Sequence, residues 1–303
     1  MAKKQLKLLK NICFASLLGV LVTTSASAEI NEINVALYGP PGGGYDSATA
    51  GFLSAIEDNG ISVKKNFFGS CVEALTYVSR TPNSLMVGGN STVDPLGVVS
   101  NWCPNPGDFN VSLAATLITG PLYLCTSPSS AQLTADDLLS GNRFNIGVVS
   151  TASGLGLINL FIAEVNKNLR AIPYEGASTL SLAAITGDID FFYNGNLAPD
   201  LVDKGATCLA ASSSINWFDL PSIGELFGLN DFPQVQSVTA VWTAHHSDAM
   251  TEILTNASNS QVFLDHISDR KVTHVGFGTG LDLEQQHDFF LESQNALRAV
   301  TGN

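Results

Sequence analysis

A run of three glycines followed by an acidic residue is the most informative local pattern in the sequence. Gly42, Gly43 and Gly44 lie between a strand-like and a helix-like stretch, and Asp46 follows them. Backbone N–H groups at the start of a helix bind anions, and glycine lets a ligand approach them without a clash with Cβ. The pattern therefore predicts an anion-binding turn, in which Asp46 is the helix N-cap, a ligand contact, or both.

A similar arrangement follows a later strand. Residues 150–154 read Ser-Thr-Ala-Ser-Gly and also lead into a helix-like stretch. One such turn usually serves only as a helix cap. Two helix N-termini that face each other across a cleft can together hold an acidic ligand without any Lys or Arg side chain.

Motifs for nucleotide binding, hydrolysis and zinc binding are missing from the sequence. Tyr45 follows the glycines where a P-loop needs Lys, and Gly51 lies too far on for the dinucleotide pattern G-x-G-x-x-G. There is no G-x-S-x-G elbow and no H-E-x-x-H, since His245 and His246 are adjacent. We therefore expect no catalytic residues, no metal and no cofactor.

Short apolar strands alternate with helix-like stretches along most of the chain. One series of strands and helices runs through residues 33–88, and a second runs through residues 113–212. Alternation of this kind predicts parallel strands with helices on the sheet faces. We predict two α/β lobes: residues 29–122 and 214–303 form the first, and residues 123–213 form the second, which is inserted into it.

The charged residues argue against a role on nucleic acids or membrane surfaces. The chain has 14 Lys and Arg against 27 Asp and Glu, a net charge of -13. Four of the lysines lie in the first ten residues, so a chain that starts at Glu29 has 10 basic and 27 acidic side chains, a net charge of -17. Phosphate backbones and anionic lipids repel such a surface.

The first 28 residues have the pattern of an export signal. The four lysines precede an apolar run at residues 12–22, and Ala26-Ser27-Ala28 fits a signal peptidase site. The run is shorter than the roughly 20 residues that span a bilayer. We predict cleavage after Ala28 and export of the mature chain to the periplasm.

Four cysteines follow the predicted signal: Cys71, Cys103, Cys125 and Cys208. An even number of cysteines in an oxidising compartment predicts two disulfides, and the sequence alone permits three pairings. The absence of a C-x-x-C pair makes a zinc or thioredoxin-like site the weaker interpretation.

Five segments, taken in order, resemble the periplasmic solute receptors of tripartite tricarboxylate transporters, the Bug or TctC family. They are LYGPPGGGYD at 37–46, PNSLMVG at 82–88, the strand, loop and helix at 144–157, IPYEGA at 172–177 and AITGDID at 184–190. The similarity covers most of residues 33–212, and the last 90 residues are less similar.

This resemblance implies a type II-like periplasmic binding protein, with two lobes that are each a mostly parallel sheet flanked by helices and with a ligand cleft between them. It implies a monomer without enzymatic activity that captures a small carboxylate, a di- or tricarboxylate or a related organic acid, and delivers it to membrane permease subunits. The predicted ligand-binding residues lie in the loops that follow the strands of both lobes: Tyr38, Gly42, Gly43, Gly44, Tyr45, Asp46, Ser70, Asn90, Ser150, Thr151, Ala152, Ser153, Tyr174 and Asn194.

One departure from the family bears on the cysteines. Residues 68–71 read Phe-Gly-Ser-Cys where the family has a Pro-Gly-x-Gly-Gly segment, which leaves the shape of the distal pocket open. The departure also suggests a disulfide from Cys71 to Cys103 in the first lobe. Cys125 and Cys208 then pair near the hinge.

Three other functions remain open alternatives. A receptor of another tripartite transporter type, TRAP-like or TAXI-like, would place an arginine in the cleft, and Arg143 or Arg170 could serve. A sensor for a membrane kinase would use the same binding site. A periplasmic enzyme that acts on small acids is disfavoured, because no nucleophile and base are paired in the sequence.

Overall fold

The computed structural model describes residues 29–90, 103–149 and 152–301, with the backbone alone for residues 152–153 and 298–301. Strands and helices alternate along the described chain as the sequence predicts. No helix within these ranges is long and apolar enough to cross a membrane.

Six strands of the described chain form the first sheet: β1 (Glu32–Tyr38), β2 (Ser62–Phe68), β3 (Ser84–Gly89), β4 (Ser112–Pro121), β10 (Gln236–Thr243) and β11 (Thr273–His274). Their spatial order is β11-β4-β10-β3-β1-β2. Strand β1 pairs parallel with β2 and β3, whereas β10 pairs antiparallel with β3 and β4, and β11 pairs antiparallel with β4.

Among the residues that the structure describes, five strands form the second sheet: β5 (Tyr123–Thr126), β6 (Asn145–Val149), β7 (Arg170–Tyr174), β8 (Phe191–Asn194) and β9 (Cys208–Ala211). Their order is β7-β6-β8-β5-β9. Strand β6 pairs parallel with β7 and β8, whereas β5 pairs antiparallel with β8 and β9.

The two-lobed α/β fold is confirmed: in the described chain, four of the six strands of the first sheet and four of the five strands of the second run in one direction, as predicted, but each sheet also contains antiparallel pairs. The reason lies in the strands that connect the lobes. The chain leaves the first sheet through β4 and returns through β10, so these neighbours run in opposite directions. Strand β5 likewise begins where the chain enters the second lobe, whereas β8 ends at that point, with Tyr123 paired to Asn194. The two strands are therefore antiparallel.

Within the described ranges, ten α-helices flank the sheets: α1 (Gly44–Asp58), α2 (Cys71–Arg80), α3 (Ala135–Leu139), α4 (Leu157–Val165), α5 (Ala177–Thr186), α6 (Ala198–Val202), α7 (Ile223–Phe227), α8 (Asp248–Ser258), α9 (Gln261–Arg270) and α10 (Leu283–Thr301). Helix α1 shows why the sequence folds this way: its apolar residues recur at helical spacing, and Phe52 and Ile56 are fully buried. Phe52 meets Phe263 of α9 edge to face, with ring centroids 5.5 Å apart.

Both predicted disulfides are present, and their pairing is the one suggested by the departure from the family at residues 68–71. Cys71, the first residue of α2, is bonded to Cys103 in a buried cluster of the first lobe. Cys125 and Cys208 are opposite residues of β5 and β9, and they are bonded to each other. The second bridge therefore fastens the first strand of the second sheet to its last.

The two chain crossings between the lobes are hydrogen-bonded to each other. The backbone N–H of Leu122 donates to Ser212 Oγ at 2.9 Å, and the N–H of Ser212 donates to the Leu122 carbonyl at 2.7 Å. The Ser212 hydroxyl in turn donates to the Val235 carbonyl. These bonds keep the outgoing and returning segments side by side.

Helix α10 contributes to the cores of both lobes. Phe290 packs on Trp242 in the first lobe, with ring centroids 5.0 Å apart, and Leu297 is fully buried in the second-lobe core. Ile223 and Val235, in the segment assigned to the first lobe from the sequence, also lie in that second core. The lobe limits themselves stay a prediction.

Candidate functional site

A cavity of about 770 Å³ lies between the two lobes. Residues at the ends of β1, β2 and β4 line it from the first lobe, and residues at the ends of β6, β7 and β8 line it from the second. Open α/β sheets bind ligands at the carboxyl ends of their strands, and pockets for small molecules have volumes of roughly 300 to 1,000 Å³. Both the place and the size of this cavity fit a small-molecule site.

The glycine run forms the start of α1 at the cavity wall. Gly43 is the N-cap of the helix and no side chain caps it. Gly42, with φ of +70°, has a backbone conformation that glycine adopts without strain. Gly43 and Gly44 line the cavity, so the uncapped N-terminal turn of α1 faces it.

Asp46 is the third residue of α1, so the prediction that it is the N-cap is wrong. Its carboxylate reaches back and accepts a hydrogen bond from the Gly42 N–H at 2.9 Å. A second oxygen accepts one from Lys65 Nζ at 2.8 Å. Asp46 still lines the cavity, but its carboxylate fixes the glycine turn in place.

The pKa of Asp46 is set by two opposing effects. Partial burial raises the pKa, but the hydrogen bonds from Lys65 and Gly42 and the positive charge of Lys65 outweigh it and hold the pKa below the usual 3.8. The carboxylate is therefore ionised at neutral pH. Its contribution to stability is present above about pH 3.8 and is lost as the pH falls through the lowered value.

A second uncapped helix start, that of α5, faces the same cavity. Its N-cap is Gly176, no side chain caps it, and Gly176 and Ala177 line the cavity. The Ser178 hydroxyl donates a hydrogen bond to the Gly42 carbonyl at 3.3 Å, which brings this helix start to the glycine turn of the first lobe. Sequence reasoning missed the role of α5, although a strand, a glycine and a helix follow one another there as they do at α1.

The end of β8 supplies a third part of the wall, formed by Asn194, Gly195 and Asn196. The side-chain carbonyl of Asn194 accepts a hydrogen bond from the Leu197 N–H at 3.0 Å, which orients the amide. A Cβ on Gly195 would lie 2.6 Å from the Pro121 carbonyl oxygen. Only glycine allows this loop to approach the chain crossing so closely.

Comparison with solved structures shows which known proteins share this architecture. MatC from Rhodopseudomonas palustris with bound malate has a TM-score of 0.67 and 15% identity, over 89% of this chain and 98% of that one. A second R. palustris protein, with adipate, has a TM-score of 0.69 and 17% identity, over 89% and 97%. A TctC solute-binding protein from Polaromonas, without ligand, has a TM-score of 0.58 and 14% identity, over 89% and 98%.

The chain has the fold of the Bug/TctC-type solute-binding proteins. The resemblance stated from the sequence is thereby confirmed at the level of the fold. No protein-family model and no curated protein sequence matches the chain.

Within this Bug/TctC-type fold, six of the predicted site residues line the cavity: Tyr38, Gly43, Gly44, Tyr45, Asp46 and Asn194. Ser150 and Thr151 lie outside the described residues. Ala152 and Ser153 are described by their backbone alone, which forms a π-helical turn before α4. Val149, just before this segment, lines the cavity.

The other four predicted residues are not among those that line the cavity in the described chain. Gly42 is engaged through its N–H and its carbonyl, and Ser70 caps α2 by accepting a hydrogen bond from the Glu73 N–H at 3.3 Å. The Asn90 side chain is buried, donating to the Gln236 carbonyl at 2.9 Å and accepting from the Val238 N–H at 3.0 Å. Tyr174 packs against the second-lobe core.

An apolar wall at the end of β2 was not predicted. Phe67 and Phe68 line the cavity, and the Phe68 ring lies 5.2 Å from the ring of Tyr77 in α2. Phe67 is 37% exposed, a large value for a phenylalanine. The sequence did mark this region, because Phe68 is the first residue of the segment at 68–71 in which the chain departs from the family.

The two arginines that a TRAP-like or TAXI-like receptor would need do not line the cavity. Arg170 begins β7, and Arg143 lies two residues before the start of β6. The cavity is at the opposite ends of these strands, where Val149 and Glu175 line it. At about 3.3 Å per residue, the strands separate Arg170 from Glu175 and Arg143 from Val149 by roughly 16 to 20 Å.

Two acidic side chains, Asp46 and Glu175, line the cavity, and no Lys or Arg does so among the described residues. The described residues also contain no group of three or more His, Cys, Asp or Glu that could hold a metal ion. Backbone N–H groups at the starts of α1 and α5 are therefore groups in this part of the structure that could bind an anion.

Proposed function

We propose that the chain is an exported receptor that captures a small carboxylate between its two lobes and delivers it to the membrane permease of a tripartite tricarboxylate-type transporter. In this proposal the first 28 residues are removed after Ala28, and the mature protein acts in the periplasm as a monomer. It binds its ligand without converting it.

The observation that carries the proposal is the meeting of two uncapped helix starts at one cavity. Gly43 of α1 and Gly176 of α5 come from different lobes, and the Ser178 to Gly42 hydrogen bond brings them together. A carboxylate between them can accept hydrogen bonds from both helices and lies at the positive ends of both helix dipoles. The malate and adipate bound by the two R. palustris proteins support this ligand class.

Ligand binding is proposed to favour the closed arrangement of the lobes. A ligand shifts such an equilibrium only by as much as its affinity differs between the two states. A carboxylate that touches both helix starts gains its full set of hydrogen bonds only when the lobes are close. The permease then distinguishes loaded from empty receptor by the shape of the closed form.

The test of ligand class uses the protein from Glu29 onward, freed of co-purified ligand. Melting is measured with malate, adipate, citrate and monocarboxylates, and with the uncharged amide of each acid as control. A ligand at 100 times its Kd adds about 2.7 kcal/mol to stability. Acids that raise the melting temperature while their amides do not would support the proposal. A folded protein that responds to no carboxylate would contradict it.

The test of the site replaces the cap of α5. A Cβ on Gly176 would meet no heavy atom within 4 Å, so there is room for a side chain. In Gly176→Asp the new carboxylate caps the helix and occupies the N–H groups that the ligand needs, so the protein stays folded while carboxylate affinity falls at least tenfold. Gly176→Ala, which adds bulk without an acceptor, is the matched control and retains binding. Unchanged affinity in Gly176→Asp would remove α5 from the site.

A further inference from the structure

We infer that Asn196 is a ligand-binding residue, whose side-chain amide donates a hydrogen bond to the ligand carboxylate at the start of α1. The inference deepens the proposed function and rests on it, because the carboxylate is taken to lie between the two helix starts. It adds a side-chain donor to the backbone N–H groups of α1 and α5.

Asn196 lies opposite the first residue of α1. It follows β8 in the second lobe, whereas Gly44 begins α1 in the first lobe, and both residues line the cavity. A Cβ added to Gly44 would lie 3.9 Å from Asn196 Nδ2. Two donors with N···O distances of about 2.9 Å can share one oxygen when they lie within roughly 6 Å of each other. A carboxylate oxygen at the start of α1 is therefore within reach of this amide.

Arg270 holds the loop of Asn196 beside the helix. Arg270 Nη1 donates to the Asn196 carbonyl at 3.4 Å, and Nη2 donates to Ser47 Oγ in the first turn of α1 at 2.6 Å. One guanidinium group therefore contacts both the loop of the second lobe and the helix of the first. The Asn196 side chain is kept close to the start of α1 by a residue that is itself outside the lining.

The Asn196 amide is available to a ligand, because its side chain has no hydrogen-bond partner among the described residues. The fold of the loop depends instead on Asn194, whose Oδ1 accepts a hydrogen bond from the Leu197 N–H at 3.0 Å. The start of α1 has no side-chain cap either. Donors thus converge from both lobes on one place, and a carboxylate supplies the acceptors that both need.

The proposed contact also links binding to closure of the lobes. Asn196 and Gly44 belong to different lobes, so one carboxylate can bind both only when the lobes are close. A ligand favours the closed form by the contacts that it gains there and lacks in the open form. The hydrogen bond from Asn196 is one such contact, and it ties the loop after β8 to α1 through the ligand.

Substitutions at Asn196 test the contact by calorimetric titration of the protein from Glu29 onward. Malate, adipate, citrate and hexanoate are compared, and the acid that the wild type binds most tightly is the probe. Asn196→Ala is expected to weaken its binding about tenfold, the usual effect of losing a hydrogen bond to a charged group. Asn196→Asp is expected to weaken it further, because a negative charge replaces the donor.

Two control variants separate this contact from effects on charge and folding. Asn31→Asp adds the same charge at an exposed residue before β1, whose other end lies at the cavity, and is expected to leave affinity unchanged. Asn194→Ala removes the acceptor for Leu197 and is expected to lower the melting temperature of the ligand-free protein. Asn196→Ala is expected to melt with the wild type when no ligand is present.

Wild-type affinity in Asn196→Ala would overturn the inference and leave the carboxylate receptor intact. Equal losses of affinity in Asn196→Asp and Asn31→Asp would also overturn it, since net charge would then explain both. A ligand-free melting temperature that falls as far in Asn196→Ala as in Asn194→Ala would make Asn196 a structural residue instead. Binding of no acid by the wild type would overturn the proposed function, and this inference with it.

Discussion

Arg270 and Asp200 join the two lobes beside the cavity. Arg270 Nη1, at the end of α9, lies 3.3 Å from Asp200 Oδ2 in α6, while Nη2 donates to Ser47 Oγ of α1 at 2.6 Å. Lys271 makes a second contact of this kind: its Nζ lies 5.7 Å from the centroid of the ring of Trp217, whose backbone N–H donates a hydrogen bond to Tyr123 Oη of the second sheet at 3.3 Å. Two consecutive basic residues therefore hold the lobes together outside the ligand site.

Breaking this ion pair should shift the protein toward the open form. Asp200 is about half exposed, and pairs of this kind contribute about 0.2 to 1 kcal/mol. Asp200→Asn should therefore weaken binding of the best carboxylate by up to about fivefold. Calorimetric titration gives the affinity, and small-angle X-ray scattering gives the expected increase in the radius of gyration of the ligand-free protein.

The matched control is Lys64→Gln. Lys64 pairs with Glu32 at 2.7 Å, and both are exposed residues of neighbouring strands in the first lobe. That variant should leave ligand affinity and radius of gyration as they are. Equal effects of Asp200→Asn and Lys64→Gln would show that the Arg270 pair does not control closure.

Gly195→Ala should destabilise the protein by about 1 to 3 kcal/mol. The added Cβ would lie 2.6 Å from the Pro121 carbonyl oxygen, so the β8 loop or the crossing has to move. At about 2 to 4 °C per kcal/mol, the melting temperature should fall by several degrees. The control is Gly69→Ala, at another glycine of the cavity. Its added Cβ would have no heavy atom within 4 Å, so its melting temperature should equal that of the wild type. A wild-type melting temperature for Gly195→Ala would contradict the conclusion that only glycine fits between the β8 loop and the chain crossing.

Removal of the Cys125–Cys208 bridge should lower the free energy of unfolding by about 2 to 5 kcal/mol. The bridge closes a loop with a sequence separation of 83, against 32 for Cys71–Cys103. In the chain-entropy model the longer loop stabilises more, so the Cys125→Ser, Cys208→Ser double variant should melt below the Cys71→Ser, Cys103→Ser variant. Denaturant unfolding of both variants tests the order, and the reverse order would point to local packing as the main effect.

Stability should decrease as the pH falls from about 7.5 to 5. Burial lowers the pKa of His246, His266 and His274 below the usual 6.5, and the charge of Arg270 lowers that of His266 further. The unfolded chain therefore binds protons near pH 6.5 that the folded chain does not bind, and the free energy of unfolding falls with pH in this window. Melting temperatures across the range measure the slope.

A triple variant, His246→Gln, His266→Gln and His274→Gln, isolates these residues. Its absolute stability is expected to change, but its melting temperature should depend less on pH than that of the wild type between pH 5 and 7.5. Equal slopes would assign the pH dependence to other groups.

Local patterns in the sequence predicted most of the secondary structure and six of the residues that line the cavity. The strand β1, the glycines 42–44 and helix α1 follow one another directly in the chain, so the spacing of residues was sufficient to predict this turn. The role of Asp46 as third helical residue was not predictable in the same way. It depends on Lys65, which β2 brings to Asp46 by pairing with β1.

The features that sequence reasoning missed depend on distant parts of the chain. Asn90 was predicted to contact ligand, but its amide binds Gln236 and Ser293, which are 146 and 203 residues away. Phe67 lines the cavity because β2 is an edge strand beside β1, and no local pattern reports strand order. The antiparallel strands β4 and β10 likewise follow from the path of the chain between lobes.

Helix α10 determines when folding can finish. Gln286 and Phe290 complete the first core and Leu297 completes the second, although the second sheet ends at Ala211 in the sequence. Neither lobe can be finished during synthesis until residues near 297 have emerged. A chain arranged in this way remains incompletely folded for most of its synthesis and then completes both lobes in one late step.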